Sequence, residues 1–263
     1  MNQLISNFHT HTELCHHAFG RPVDYVKYAA EQGCSELGFS DHCPYPVSIG
    51  FQWDNCRMSV SQIELYVNQV NEAKEAADFP VHLGFECEYD RNFLNWYKDE
   101  LKCHYGAEYL VFGPHWVNDD GGRPYALDFN RDLKLLHKYT RQIIEGLESG
   151  LYSILAHPDL FMAGYKIWDD EAKSCLTDIL NAAEALDIPL EINGLGISRG
   201  LIDTPLGERF GYPYLEFWEL VSKSGAKVIC DSDAHNPKDV LKNALNARQF
   251  AATVGITPIE TIF

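Results

Sequence analysis

Seven short apolar runs recur along this chain, each followed by a longer stretch with helical spacing, and this alternation narrows the folds open to it. The runs fall at residues 4–9, 36–40, 81–86, 109–113, 153–156, 189–192 and 227–230. After them, apolar positions repeat every three to four residues at 23–32, 61–77, 92–103, 131–148, 170–186, 214–224 and 237–247. Pro22 is placed for a first helical turn. Gly33, Gly150 and Gly225 each follow a helical stretch, where a left-handed terminating residue is commonly needed. Strand and helix in this order predict right-handed βαβ units around a parallel sheet. With 263 residues the chain can bury a large core, and α/β barrels often fill this length. No composition shift, repeat or low-complexity tract marks a second domain.

Metal-type side chains gather where the runs end. His9 and His11 close the first, and Ser40-Asp41-His42 follows the second. Glu86 ends the third, His115 follows the fourth, His157 the fifth, and Asp231-Ser232-Asp233-Ala234-His235 the last. Side chains i and i+2 of an extended chain share one side, so H-x-H and D-x-H can each clasp one ion. Cys15-His16-His17 adds two histidines, and the residues alone leave open which of them points inward. His82, His104 and His137 begin a run, follow a helix and lie on one, and are expected to have no metal role. Singly, each strand-end residue has an ordinary reading as a helix cap or a buried, hydrogen-bonded histidine. Together they point to one multi-metal site. A closed barrel suits that pattern better than an open sheet, because all its strands end at one mouth.

The formal charge of −17 and the lack of any basic stripe argue against a nucleic-acid surface. An anionic substrate would then need a local positive field, which bound metals supply. The eight cysteines show no C-x-x-C spacing and are expected to be reduced and mostly buried. No apolar run is long enough to span a membrane, and MNQLISNFHTHT does not resemble a signal peptide, so a cytoplasmic protein is expected. The residues do not define an oligomeric state. Two long irregular stretches, 43–59 and 116–130, are candidate lids or substrate walls.

The order H-x-H, a further histidine six residues on, S-D-H, G-x-E, a histidine after the fourth run, A-H-P-D and D-x-D-x-H resembles the polymerase and histidinol phosphatase (PHP) superfamily over nearly the whole chain. F-H-T-H-T-x-x-C-x-H, E-I-N at 191–193, Arg199 and Tyr212-Pro213 are similar to its stand-alone histidinol-phosphate phosphatases. The resemblance implies an α/β fold, a distorted (β/α)7 TIM-like barrel, as a single PHP-type domain over residues 1–263, with three divalent ions (zinc, manganese or iron). Family spacing selects His17 over His16. It implies one ion on His9, His11, Glu86 and Asp233, and a second on His17, His42 and His235. Glu86 would bridge to a third ion that also takes His115 and His157, with Glu86, Asp233 and His235 at the catalytic point. Three such ions, less two carboxylates and a hydroxide, leave an excess of about three positive charges to receive a phosphate monoester. Arg199 is implied as a phosphate-binding residue. Here the segment reads NGLGISRG, where the family more often has threonine after the asparagine and a G-L-R-K ending. The family's other arginine, expected after A-H-P-D, is replaced by a stretch offering only Lys166. Asp41 and Asp159 are candidates for orienting ligand histidines, and no general acid is assigned.

The expected activity is hydrolysis of L-histidinol phosphate, a small-molecule phosphate monoester, by metal-activated hydroxide. The alternatives are another phosphate ester (a nucleotide or phosphopeptide), a metal-dependent amidohydrolase, or a non-catalytic metal-binding regulator.

Overall fold

A computed structural model describes residues 5–47, 55–119 and 122–263. Leu4 of the first run, Trp53 and Asp54 of one candidate lid, and Asp120 and Gly121 of the other lie outside the described residues. The expected alternation is present. In chain order the elements are β1 (Ile5–Asn7), α1 (Pro22–Gln32), β2 (Cys34–His42), α2 (Ile63–Ala76), β3 (Val81–Cys87), β4 (Tyr109–Phe112), α3 (Leu133–Glu148), β5 (Ile154–Leu155), α4 (Met162–Tyr165), α5 (Asp170–Ala185), β6 (Leu190–Asn193), α6 (Gly194–Ser198), β7 (Leu201–Thr204), β8 (Gly207–Phe210), α7 (Leu215–Val221), β9 (Val228–Asp231) and α8 (Lys242–Thr253). Seven strands pair in parallel in the order β1-β2-β3-β4-β5-β6-β9, so the fold is a distorted (β/α)7 barrel.

The distortion lies at the seam between the first and last strands. Among the described residues, Thr10 and Ala234 alone pair there as backbone. Side chains supply the other hydrogen bonds: Phe8 N donates to Asp231 Oδ1 (2.6 Å) and Ser232 N to Asn7 Oδ1 (2.8 Å). Without them, buried amides at the seam would lose their acceptors.

Seven strands enclose little space. Phe8, Tyr109, Val111, Ile154, Ala156 and Ile229 fill the interior, and Tyr109 donates its hydroxyl to Phe8 O (2.7 Å). Gly38 and Gly84 on the neighbouring strands make room for that ring: a Cβ at Gly84 would stand 2.5 Å from it. Gly84→Ala is therefore expected to cost about 1–3 kcal/mol through overpacking, measured by denaturant unfolding. Wild-type stability in this variant would show that the barrel centre can relax.

Helices sheathe the barrel through their apolar faces. Pro22 opens α1, and Gly33 ends it at φ +83°, as expected. Gly225 differs from expectation. It has no left-handed backbone, and its amide instead donates to Glu184 Oε1 (3.1 Å). The stretch 92–103 forms a short 3-10 turn followed by a π-helix (Trp96–His104) that buries Tyr97 and Leu101. The β7–β8 hairpin and the one-turn helices α4 and α6 were not expected, being too short for periodicity to show. All eight cysteines are free and six are buried. Among the described residues, no helix is long and apolar enough to cross a membrane.

Candidate metal centre

At the C-terminal mouth of the barrel, strand register places the donors. His42, the last residue of β2, lies opposite Glu86 near the end of β3. Glu86 is buried at the centre of the cluster. Its carboxylate faces His42 Nδ1 at 2.9 Å, His157 Nε2 at 3.2 Å, His9 Nε2 at 3.4 Å, His11 Nε2 at 3.5 Å and His115 Nε2 at 3.6 Å. Gly113 makes this possible, because a Cβ there would collide with the Glu86 carboxylate. Asp233 Oδ1 approaches from β9, 3.1 Å from His11 Nε2 and 3.6 Å from His9 Nε2. His235 Nε2 and His17 Nε2 are 3.0 Å apart.

The structure thus brings together all nine residues singled out from the sequence. Donor atoms of eight of them cluster within 4.8 Å as His9–His11–Glu86, His17–His42–His235 and Glu86–His115–His157, and Asp233 joins through its contacts with His9 and His11. His157 and Asp233 have positive φ (+31° and +48°), unusual for residues with a side chain and typical of positions held by surrounding contacts.

A second layer of acceptors aims the rings. His9 Nδ1 donates to Glu191 Oε1 (2.6 Å) and His115 Nδ1 to Glu88 Oε1 (2.7 Å). His17 Nδ1 donates to Cys15 O (2.8 Å) and His235 Nδ1 to Asp233 O (3.0 Å). In each case Nδ1 has a fixed acceptor and Nε2 is turned inward, free to bind an ion once the ring is neutral, the arrangement common to metal-ligating histidines. His9 Nε2 is buried without a hydrogen-bond partner. An imidazole–carboxylate set with such an orphaned nitrogen fits zinc, manganese or iron.

Glu88, Glu191, Asn193 and Gly113 were not assigned roles from sequence. Glu88 was legible in one respect: it lies two residues beyond Glu86, on the same side of an extended chain. Glu191 is the most connected of them. Besides His9, it accepts from the His157 amide (2.9 Å) and from Asn193 Nδ2 (2.9 Å), which also donates to Asp233 Oδ2 (3.1 Å). Glu191→Gln is expected to lower metal affinity about 10–100-fold with the fold intact, read from ion retention against a graded chelator. Unchanged retention would remove Glu191 from any positioning role. Asp41 accepts from the Thr12 and His42 amides and stands 3.6 Å from His11 Nδ1. Asp159, the other candidate, orients no histidine. It accepts from Tyr214 N (2.6 Å) and Trp218 Nε1 (3.0 Å), anchoring the start of α7, and burial pushes its carboxyl up to about 6.

Charge in the metal-free cluster is divided. Burial opposes a proton on His9, yet Glu191, Asp233 and Glu86 outweigh it and hold the ring well above its usual range. His11 is likewise pushed up to about 9, burial being overcome by Asp233, Asp41 and Glu86. Glu86 and Asp233 are held well below the usual carboxylate range despite burial, by the surrounding histidines. Burial, reinforced by the charge of His11, pushes His235 down to about 3 and lowers His17 and His42.

Beside the cluster opens a cavity of about 330 Å³ whose wall also includes Trp116, Tyr125, Leu160, Leu195, Arg199 and Tyr212. Among the described residues, Arg199 is the one Lys or Arg in that wall, its guanidinium 5.8 Å from the Tyr212 ring centroid. Lys166 is exposed at the end of α4, away from this lining.

A barrel with these donors at its mouth defines the class, and the sequence profile of the PHP domain matches residues 7–194: the chain belongs to the PHP domain family. Two curated relatives are each named "probable histidinol-phosphatase". The one from Deinococcus radiodurans is 26% identical over 238 residues, spanning 88% of this chain and 86% of that protein. The other, from Schizosaccharomyces pombe, is 23% identical and spans 95% and 87%. The histidinol phosphate phosphatase of Lactococcus lactis, solved with zinc, L-histidinol and phosphate, shares the fold at a TM-score of 0.70 and 17% identity, covering 97% of this chain and 95% of its own.

Proposed function

We propose that the protein, acting as one barrel unit over residues 1–263, is a metal-dependent phosphomonoesterase that hydrolyses L-histidinol phosphate to L-histidinol and phosphate. The observation that carries this reading is the convergence of three donor triads on Glu86 beside a cavity walled by aromatic rings and one arginine. The relatives' names and the ligands bound to the Lactococcus protein support the substrate choice.

In this reading His9, His11, Glu86 and Asp233 hold one ion, and His17, His42 and His235 a second. Glu86, His115 and His157 hold a third. Divalent ions in such a site supply hydroxide at neutral pH and polarise phosphoryl oxygens. The chain's own groups do the rest. Arg199 offers a planar fork to the phosphate from the wall of the same cavity. Trp116, Tyr125 and Tyr212 give flat apolar faces suited to a heteroaromatic ring. Arg199→Ala is expected to lower kcat/KM about 10–100-fold while metal content stays unchanged, measured by steady-state kinetics and elemental analysis. Unaltered kinetics would take Arg199 out of phosphate binding.

The deciding experiment is a phosphatase screen over a metabolite panel that includes histidinol phosphate, with metal measured on the same sample. Preferred turnover of histidinol phosphate is expected. No turnover of any phosphate ester by fully metallated protein would end the enzyme reading. Turnover of a different ester is the second reading, favoured by the position of Lys166 away from the cavity.

A further inference from the structure

Cys15 is wholly buried at the end of the 3-10 turn Glu13–Cys15, yet it differs from the other buried cysteines. Cys34, Cys43, Cys87, Cys175 and Cys230 all pack into the hydrophobic core, whereas Cys15 stands against the imidazole cluster. Its Sγ, one ring nitrogen of His11 and one of His235 all lie within 4.8 Å of one another. The sulfur is also 4.0 Å from His17 Nε2, which faces His235 Nε2 at 3.0 Å. A second, independent feature points to a ligand here: neither ring nitrogen of the wholly buried His11 makes a hydrogen bond of proper geometry, although Nε2 stands 3.1 Å from Asp233 Oδ1.

We propose that Cys15 is a sulfur donor to the ion held by His235, turning that corner of the centre into a mixed nitrogen–sulfur site. The inference rests on the metal-centre reading above and goes beyond it in donor type. On binding, the Sγ–H bond breaks, the proton passes to solvent, and sulfur gives its electron pair to the ion, as coordinating thiols do. The consequence is selectivity. Thiolate favours zinc and softer cations and adds little for manganese, so this corner discriminates between ions that an all-imidazole site would bind more evenly.

Cobalt(II) titrated into the metal-stripped full-length protein tests the assignment without reference to activity. Visible d–d bands report binding, and a near-ultraviolet thiolate-to-cobalt charge-transfer band reports sulfur. Wild type and Cys56→Ser, which removes the thiol lining the cavity, are expected to show both. Cys15→Ser is expected to keep the d–d bands, lose the charge-transfer band, and lose about tenfold or more of its zinc-over-manganese preference in competition dialysis. If Cys15→Ser does not fold, the spectra of wild type and Cys56→Ser decide. Cobalt d–d bands without charge transfer in wild type would overturn the sulfur assignment and leave the metal centre standing. No cobalt bands at all would overturn both.

Discussion

Stripping the protein of metal is expected to abolish phosphate-ester hydrolysis, a fall of about a thousandfold or more, and adding zinc, manganese or iron to restore it. The size follows from what ions contribute to such chemistry, several kcal/mol of charge stabilisation plus a nucleophile at neutral pH. Reloading should also have a proton signature. A ligating imidazole must be neutral, and His9 and His11 are held above their usual range in the metal-free cluster, His11 at about 9. At pH 7 both carry protons that an incoming ion displaces. His17, His42 and His235 are shifted the other way and are neutral at that pH. Binding at the His9–His11–Glu86 triad therefore releases protons and weakens as pH falls, while the His17–His42–His235 triad fills with little release from its histidines. Calorimetry of metal loading in buffers of different ionisation enthalpy reads the difference. Loading with no proton release at any stage would contradict the charge pattern around Glu86 and Asp233. Activity that survives thorough stripping would contradict the metal-dependent reading itself.

Much of this site was legible before the structure because barrel geometry and strand chemistry agree. A residue at or just beyond the end of a parallel strand in a closed barrel has one place to go, so His42, Glu86, His115 and His157 needed only the strand runs to be located together. The residues that aim them were harder to see. Glu191 and Glu88 are carboxylates on strand ends like Glu86, and nothing in residue type separates an ion's ligand from the acceptor behind a ligand. That distinction depends on which nitrogen of His9 or His115 each one meets. Gly113 matters only because the Glu86 carboxylate occupies the space of its missing Cβ, a contact between strands that neither run discloses. Asp159 shows the converse. Its place beside His157 suggested an orienting role, but the His157 backbone turns at positive φ and the Asp159 carboxylate meets Tyr214 and Trp218 instead. The seam of the barrel escaped pattern reading too, since Asp231 and Asn7 act there as side-chain substitutes for a ladder.

Replacing Glu86 should have the largest effect of any single substitution. In Glu86→Ala, ion content is expected to drop and kcat to fall by about a thousandfold or more, since the loss of a shared ligand removes several kcal/mol of stabilisation. Glu86 is unlike the terminal ligands because its two oxygens face histidines from all three donor triads. A carboxylate has lone pairs and charge enough to serve two cations at once, whereas a neutral amide has one acceptor oxygen and no charge. Glu86→Gln is therefore expected to resemble Glu86→Ala in activity while preserving packing against Gly113. This contrast separates chemistry from folding. Were the role of Glu86 only to fill space at the barrel mouth, Gln would rescue what Ala loses. Elemental analysis, steady-state kinetics and a thermal melt on both variants distinguish the cases. A glutamine variant with full ion content and near wild-type kcat would show that the ions do not share this carboxylate. The His42→Ala comparison bounds the effect, because removing one terminal ligand leaves the other two triads whole. A smaller loss of bound metal is expected there than in either Glu86 variant.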